Sequence, residues 1–213
     1  MESFVKEFFE KKIIAICRGV DEEEIVNVAK ALYEGGIHFM EVPFNQADPD
    51  SFSATARKIK RVKEALEGKM YVGAGTVISM EQFELAVQAG AQIIVSPTLE
   101  EDIIAATKAA GLISMPGCTT PSEMTKAYKL GADLIKLFPA SVVNLKMIKE
   151  IRVPLNHLPL VCFGGITKDN IQEVLATGVV GVGVASSVLD KQALAEKDYA
   201  KITALAKALT EQI

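Results

Sequence analysis

A lysine, Lys136, stands inside the apolar run "GADLIKLFPASVV" that extends from Gly131 to Val143. Lysine is almost never fully buried unless it is paired or working. An amine withdrawn from water has a lowered pKa, and its neutral fraction can attack a carbonyl carbon and form a Schiff base. The plainer alternative is that Lys136 pairs with a carboxylate and does nothing else. Glu41, near the end of the run "HFMEV" at 38–42, has the same two readings. It is either the salt-bridge partner of Lys136 or a general acid/base that moves protons on and off a carbinolamine and the nucleophilic carbon. Arg18 follows "IIAIC" at 13–17. It either meets a substrate carboxylate, its charge depressing the pKa of Lys136, or pairs with Glu41. "FGGIT" and "GVGVASSV" supply Gly164, Gly165 and Ser186, whose backbone amides and hydroxyl could hold an anion, although Gly-Gly is also an ordinary turn signal.

These residues need elements that bring them to one place. Short β-branched runs at 13–17, 38–42, 70–74, 92–96, 112–116, 134–138, 160–164 and 180–184 read as strands. They are apolar on both faces, as strands of a parallel sheet covered by helices should be. Helical patterns lie between them. Asp21 with Glu24, and Ser79 with Gln82, have the form of capping boxes, while Pro49 and Pro121 suit a first helical turn. Gly35, Gly90, Gly131 and Gly178 fall where helices end, and Ile25, Val28, Ala29 and Leu32 form one apolar stripe of core packing. Eight strand-helix units behind a short extra N-terminal helix count out an α/β fold, the (β/α)8 TIM barrel, as a single domain over residues 1–213. The alternative, an open doubly wound sheet, lacks its G-x-G-x-x-G fingerprint after the first strand. In a barrel the strand C-termini carry the active site, which is where Arg18, Glu41, Thr76, Pro97, Lys136, Gly164, Gly165 and Ser186 fall.

The bulk composition narrows the partners. The chain has 213 residues, 49% of them hydrophobic, and a net charge of −4 with no basic block, which argues against nucleic acid and membrane surfaces. The N-terminus lacks the order of a signal peptide and no run approaches a membrane span, so a cytoplasmic location is expected. Three scattered cysteines, Cys17, Cys118 and Cys162, suit reduced core thiols, and two distant histidines give a metal site little to build on. No metal or cofactor is expected.

Taken together, "GGIHFMEVPF", "VGAGTV", "IVSP", "MPGCTTPSE", "LGADLIKLFPAS" and "CFGGIT" resemble the bacterial 2-keto-3-deoxy-6-phosphogluconate and 4-hydroxy-2-oxoglutarate aldolases over nearly the whole chain. The resemblance implies a metal-independent class I aldolase, a homotrimer, which cleaves a 2-keto-4-hydroxy acid to pyruvate and an aldehyde, phosphorylated or not. Carried over by motif, Lys136 matches the Schiff-base lysine and Glu41 the acid/base. Thr76 and Pro97 match the pyruvate pocket, Phe138 joins the substrate-binding set, and Gly164, Gly165 and Ser186 match the phosphate end. Pro43, Asn45 and Phe163 depart from the pattern, standing where a threonine, an arginine and a threonine are usual. They leave aldehyde length, stereochemistry and phosphate preference open. Two other readings stand beside this one: a sugar-phosphate epimerase or isomerase that makes no imine, and a non-catalytic keto-acid-binding barrel.

Overall fold

Strands that are apolar on both faces must be covered on both faces, and a sheet closed on itself provides one cover from its own interior. The computed structural model describes residues 2–213 and shows this arrangement. Helix α1 (Glu2–Lys11) precedes β1 (Ile13–Ile16), which is followed by α2 (Ile25–Glu34), β2 (Phe39–Pro43), α3 (Phe52–Ala65), β3 (Tyr71–Gly75), α4 (Met80–Gln88), β4 (Ile93–Val95) and α5 (Glu101–Ala109). The second half continues with β5 (Ile113–Met115), β6 (Gly117–Cys118), α6 (Pro121–Lys129), β7 (Ile135–Leu137), α7 (Leu145–Arg152), β8 (Leu160–Phe163), α8 (Ile171–Leu175), β9 (Gly181–Val184), α9 (Lys191–Ala195) and α10 (Tyr199–Thr210). All the strand pairs are parallel, in the order β5-β4-β3-β2-β1-β9-β8-β7-β6.

The two ends of that order, β5 and β6, are one barrel strand interrupted at Pro116. Proline has no amide to donate, so the ladder breaks there. Closure survives because the carbonyls still accept: the Leu134 amide donates to Ser114 at 3.1 Å and the Lys136 amide to Pro116 at 2.9 Å. The expected (β/α)8 barrel with an extra N-terminal helix is therefore the observed architecture, its fifth strand split in two.

Period-two alternation sorts the side chains into two layers. Ile135, Leu137, Cys162 and Val182 belong to the outer cluster that packs under the helices. Ile14, Phe39, Ile93, Val95, Ile113, Met115, Leu134, Val161 and Phe163 form a separate inner cluster, to which α1 contributes Phe4 and Phe8. The rings of Phe4 and Phe8 meet Phe39 edge-on at 4.9 and 5.1 Å between centroids, so α1 plugs the N-terminal end of the barrel. Because Leu134 points inward, so does Lys136 two residues on; Phe39 sets the same phase for Glu41.

Local signals behave unevenly. Thr120 and Glu123 form a full capping box on α6, and Ser79 accepts from the Gln82 amide at 3.3 Å. The Asp21–Glu24 box does not form: α2 starts at Ile25, with Glu24 in the cap position and no side-chain cap bond. Positive φ follows the helix ends at Gly90, Gly131 and Gly178 as expected, but after α2 it falls on Gly36 instead of Gly35, whose own site lies against α10 at Ala206. Phe8→Ala should empty the buried plug and lower stability by roughly 3–5 kcal/mol, measured by urea denaturation.

Candidate active site

The inward alternation delivers an amine and a carboxyl to the C-terminal half of the barrel interior, where side chains from several strands converge. Lys136 is only 7% exposed and Glu41 only 2%. Among the described residues no ion pair joins them, and Glu41 Oε2 has no hydrogen-bond partner at all. The simple salt-bridge reading of the pair therefore does not match the geometry. Burial pushes the Glu41 carboxyl up to about 7, against the opposing pull of Lys136 and Arg18. Burial likewise lowers the pKa of Lys136, Arg18 lowers it further, and Glu41 works in the opposite direction. The result is an amine and a carboxylic acid whose proton affinities have been drawn toward each other, the condition for moving protons near neutral pH.

The glycine at the end of β3 makes this placement possible. A Cβ on Gly75 would sit 1.4 Å from Glu41 Oε2, so the carboxyl occupies space that any other residue would fill. Lys136 Nζ lies over two rings, 4.8 Å from the centroid of Phe138 and 4.6 Å from that of Phe163. Phe163 is buried at the floor, whereas Phe138 is 38% exposed at the mouth.

The other expected residues ring this centre. Arg18 is exposed beyond β1 and is near enough to act electrostatically on both Glu41 and Lys136. Pro97 is half-buried after β4, its carbonyl against Gly117. Thr76 is half-buried and held at φ 56°, in the left-handed region that disfavours a β-branched residue. Its carbonyl accepts from Gln46 Nε2 at 2.9 Å, Gln46 Oε1 accepts from Gln82 Nε2 at 2.8 Å, and Gln82 Oε1 accepts from the Ile78 amide at 2.8 Å. Gln82 is buried, so this chain of amides ties the loop after β2 to the strained loop after β3. Sequence reading missed Gln46 and treated Gln82 only as a cap, since a glutamine near a helix start carries no mark of burial.

Gly164 and Gly165 follow β8 with φ of 110° and 73°. Among the described residues their amides have no acceptor, which leaves them open to an anion. Ser186 is exposed beside Arg18 in a cavity of about 540 Å³ that Val20, Leu189 and Leu194 also line. That cavity adjoins β1 and β9 and does not include Lys136. Next to Ser186, the Ser187 Oγ is buried without a partner, a second orphaned oxygen after Glu41 Oε2. The glycines within β9 serve packing, in contrast to the anion-binding use suggested by the run "GVGVASSV". Gly181 faces the Phe8 ring and Gly183 the Phe163 ring. All three cysteines are free and buried, and burial pushes their thiols up, Cys118 and Cys162 to about 12, which disfavours thiolate chemistry. Among the described residues no His/Cys/Asp/Glu cluster is arranged for a metal, and no helix is long and apolar enough to cross a membrane.

The chain thus presents a closed parallel barrel with a desolvated lysine beside an unpaired acid at the C-terminal end of its strands. The model of the KDPG and KHG aldolase family matches residues 4–205, and the chain belongs to that family. It is 37% identical over 180 residues to a probable 2-dehydro-3-deoxy-6-phosphogalactonate aldolase of Rhizobium meliloti, covering 84% of this chain and 82% of the relative. It is 33% identical over 191 residues to the KHG/KDPG aldolase of Escherichia coli K12, covering 89% and 86%. Among solved structures, the KDPG aldolase of Legionella pneumophila, with pyruvate captured at low pH as a covalent carbinolamine intermediate, superposes with a TM-score of 0.85 at 26% identity, covering 96% of this chain and 97% of that one. The protein is accordingly an enzyme of the aldolase class, a lyase.

Because the Glu41 pKa is raised on folding, the unfolded chain releases that proton first. The group's contribution to stability is present in full below pH 4.5 and is lost as pH rises toward about 7. Glu41→Gln should therefore melt higher than the parent at pH 8, by the equivalent of about 3 kcal/mol at most, with the gap closing below pH 4. Thermal denaturation across pH measures this.

Proposed function

We propose that this chain is a Schiff-base aldolase that cleaves a 2-keto-3-deoxy-6-phosphogluconate or 4-hydroxy-2-oxoglutarate type substrate to pyruvate and an aldehyde, glyceraldehyde 3-phosphate or glyoxylate. The observation that carries the reading is the buried, unpaired juxtaposition of Lys136 and Glu41 at the barrel mouth. In this reading the neutral Lys136 amine attacks the C2 ketone and gives a carbinolamine. Glu41, holding a proton, delivers it to the departing hydroxyl, and water leaves an iminium. A base takes the C4 hydroxyl proton, the C3–C4 bond breaks, and its electron pair moves into the iminium to form the enamine of pyruvate as the aldehyde departs. Protonation at C3 and hydrolysis then release pyruvate and regenerate the amine.

Several features support the assignment of the remaining roles. The Arg18 guanidinium makes no hydrogen bond or ion pair among the described residues and suits a substrate carboxylate. Thr76, Pro97 and Phe138 form the rim of the pyruvate end. The open amides of Gly164 and Gly165, with Ser186, suit the phosphate or distal end. Relatives named for phosphogluconate, phosphogalactonate and KHG substrates support a keto-acid substrate of this kind. The protein is read as cytoplasmic, acting in carbohydrate metabolism without a cofactor. A homotrimer is the oligomer carried over from the resemblance, and exposed Val142 and Ile78 in connections after β7 and β3 offer apolar surface for association.

Borohydride reduction in the presence of pyruvate, read by intact and peptide mass spectrometry, tests the imine directly. A stable adduct is expected on Lys136 and should be absent from Lys136→Ala. Folded protein that binds pyruvate without forming an adduct would favour an imine-free sugar-phosphate isomerase or a non-catalytic binder. Glu41→Gln should lower kcat for retro-aldol cleavage by roughly 100-fold or more, the usual weight of a positioned acid/base, and should slow adduct formation.

A further inference from the structure

Lys136 Nζ lies over the ring of Phe163, 4.6 Å from its centroid, and makes no ion pair among the described residues. We propose that Phe163 is a positioning residue which, with Phe138, clamps the Lys136 ammonium against an aromatic face, and that Gly183 leaves the space that ring occupies. The inference rests on the reading of Lys136 as the reacting amine, and adds a neighbour to it.

Three observations carry it. Lys136 Nζ lies 4.6 Å from the Phe163 centroid and 4.8 Å from that of Phe138, both well inside the distance of about 6 Å at which a ring's quadrupole attracts a cation. Phe163 is 1% exposed, so the attraction acts in a site largely free of water, where it is strongest. The ring's place is built: Phe163 is the cross-strand partner of Gly183, and a Cβ there would lie 2.4 Å from ring Cδ1 and 2.5 Å from Cε1. Any other residue at 183 would turn the ring away. Among the described residues Nζ has no hydrogen bond or ion pair, so the two rings are what orients a long side chain that would otherwise sample several rotamers.

The other groups around the amine are accounted for. Glu41 faces it from β2 and Arg18 from the end of β1. On the flanking strands β6 and β8, Cys118 and Cys162 pair with Leu137 and face the outer layer, away from the amine. Phe163 therefore offsets part of the burial that lowers the lysine's proton affinity. It holds the ammonium without a counter-ion that would have to be broken before attack.

This role and a merely structural one predict opposite signs. Losing the ring's attraction lowers the midpoint of Lys136, whereas loosened packing that admits water raises it toward the ordinary lysine value. The midpoint is read on the full chain, without substrate, from the pH dependence of Lys136 acetylation by acetic anhydride in peptide mass spectra. Phe163→Met keeps similar volume without a π face and should lower the midpoint by roughly half a pH unit. Gly183→Ala keeps Phe163 but displaces its ring and should move the midpoint the same way. Phe163→Tyr, which retains the ring, should restore the parent value. An unchanged or raised midpoint in either variant that circular dichroism finds folded overturns the proposal; if one variant does not fold, the other decides. A lowered midpoint with no pyruvate adduct would leave the clamp standing and remove the aldolase reading, and the reverse pair of results would do the opposite.

Discussion

Keeping an amine out of water is the constraint to which the rest of the site answers. The closed barrel buries Lys136 and so lowers its proton affinity, and the same enclosure raises that of the neighbouring Glu41 carboxyl. A direct salt bridge would relieve both costs and would disable both groups, since each would be locked in its charged form. The fold avoids that outcome by seating the carboxyl in the space left by Gly75, with one oxygen free, and by laying the ammonium over Phe163 and Phe138. Partial compensation, enough to hold the groups and too little to fix their charge, is what the geometry supplies.

Precision at this centre depends on features distant from it. The aromatic plug of Phe4 and Phe8 fills the barrel's other end, so the interior strands cannot collapse inward and shift phase. At the mouth, the Gln46–Gln82 amide chain holds Thr76 in its left-handed conformation through two adjoining loops. Strain of this kind persists only where surrounding hydrogen bonds over-determine it, and here they do.

Much of this was legible in the amino-acid order, for definite reasons. Strands buried on both faces announce themselves as uninterrupted apolar runs, so all eight barrel strands lie within a residue or two of where the runs place them. Lys136 was visible as a charge where charges do not belong, and Glu41 shared its phase at a strand end. What could not be read depends on partners remote in sequence. Nothing near Gly183 indicates that its missing side chain accommodates the Phe163 ring, and nothing near Gly181 points to Phe8. The run "GVGVASSV" instead suggested backbone given over to anions. Pro116 appeared as a strand's last residue, although it interrupts one, because its effect depends on hydrogen bonds to β7 that only the closed barrel reveals. Gln82 and Ser187 were obscured for a simpler reason: polar residues at helix starts and in turns are usually solvated.

The glycines of β9 carry a consequence for how this sequence can vary. With Gly181 and Gly183 both turned inward, one stave of the barrel lends no bulk to the interior, and rings from α1 and β8 occupy the room it leaves. Volume at these places is thus a shared property of residue pairs. A lineage that enlarged residue 183 would have to shrink residue 163 in compensation, and in doing so would exchange the aromatic floor under the amine for a different surface. Drift at a position that never touches substrate would then be inseparable from drift in the chemistry, and pairwise substitution patterns at 163 and 183 among descendants of this chain would record it.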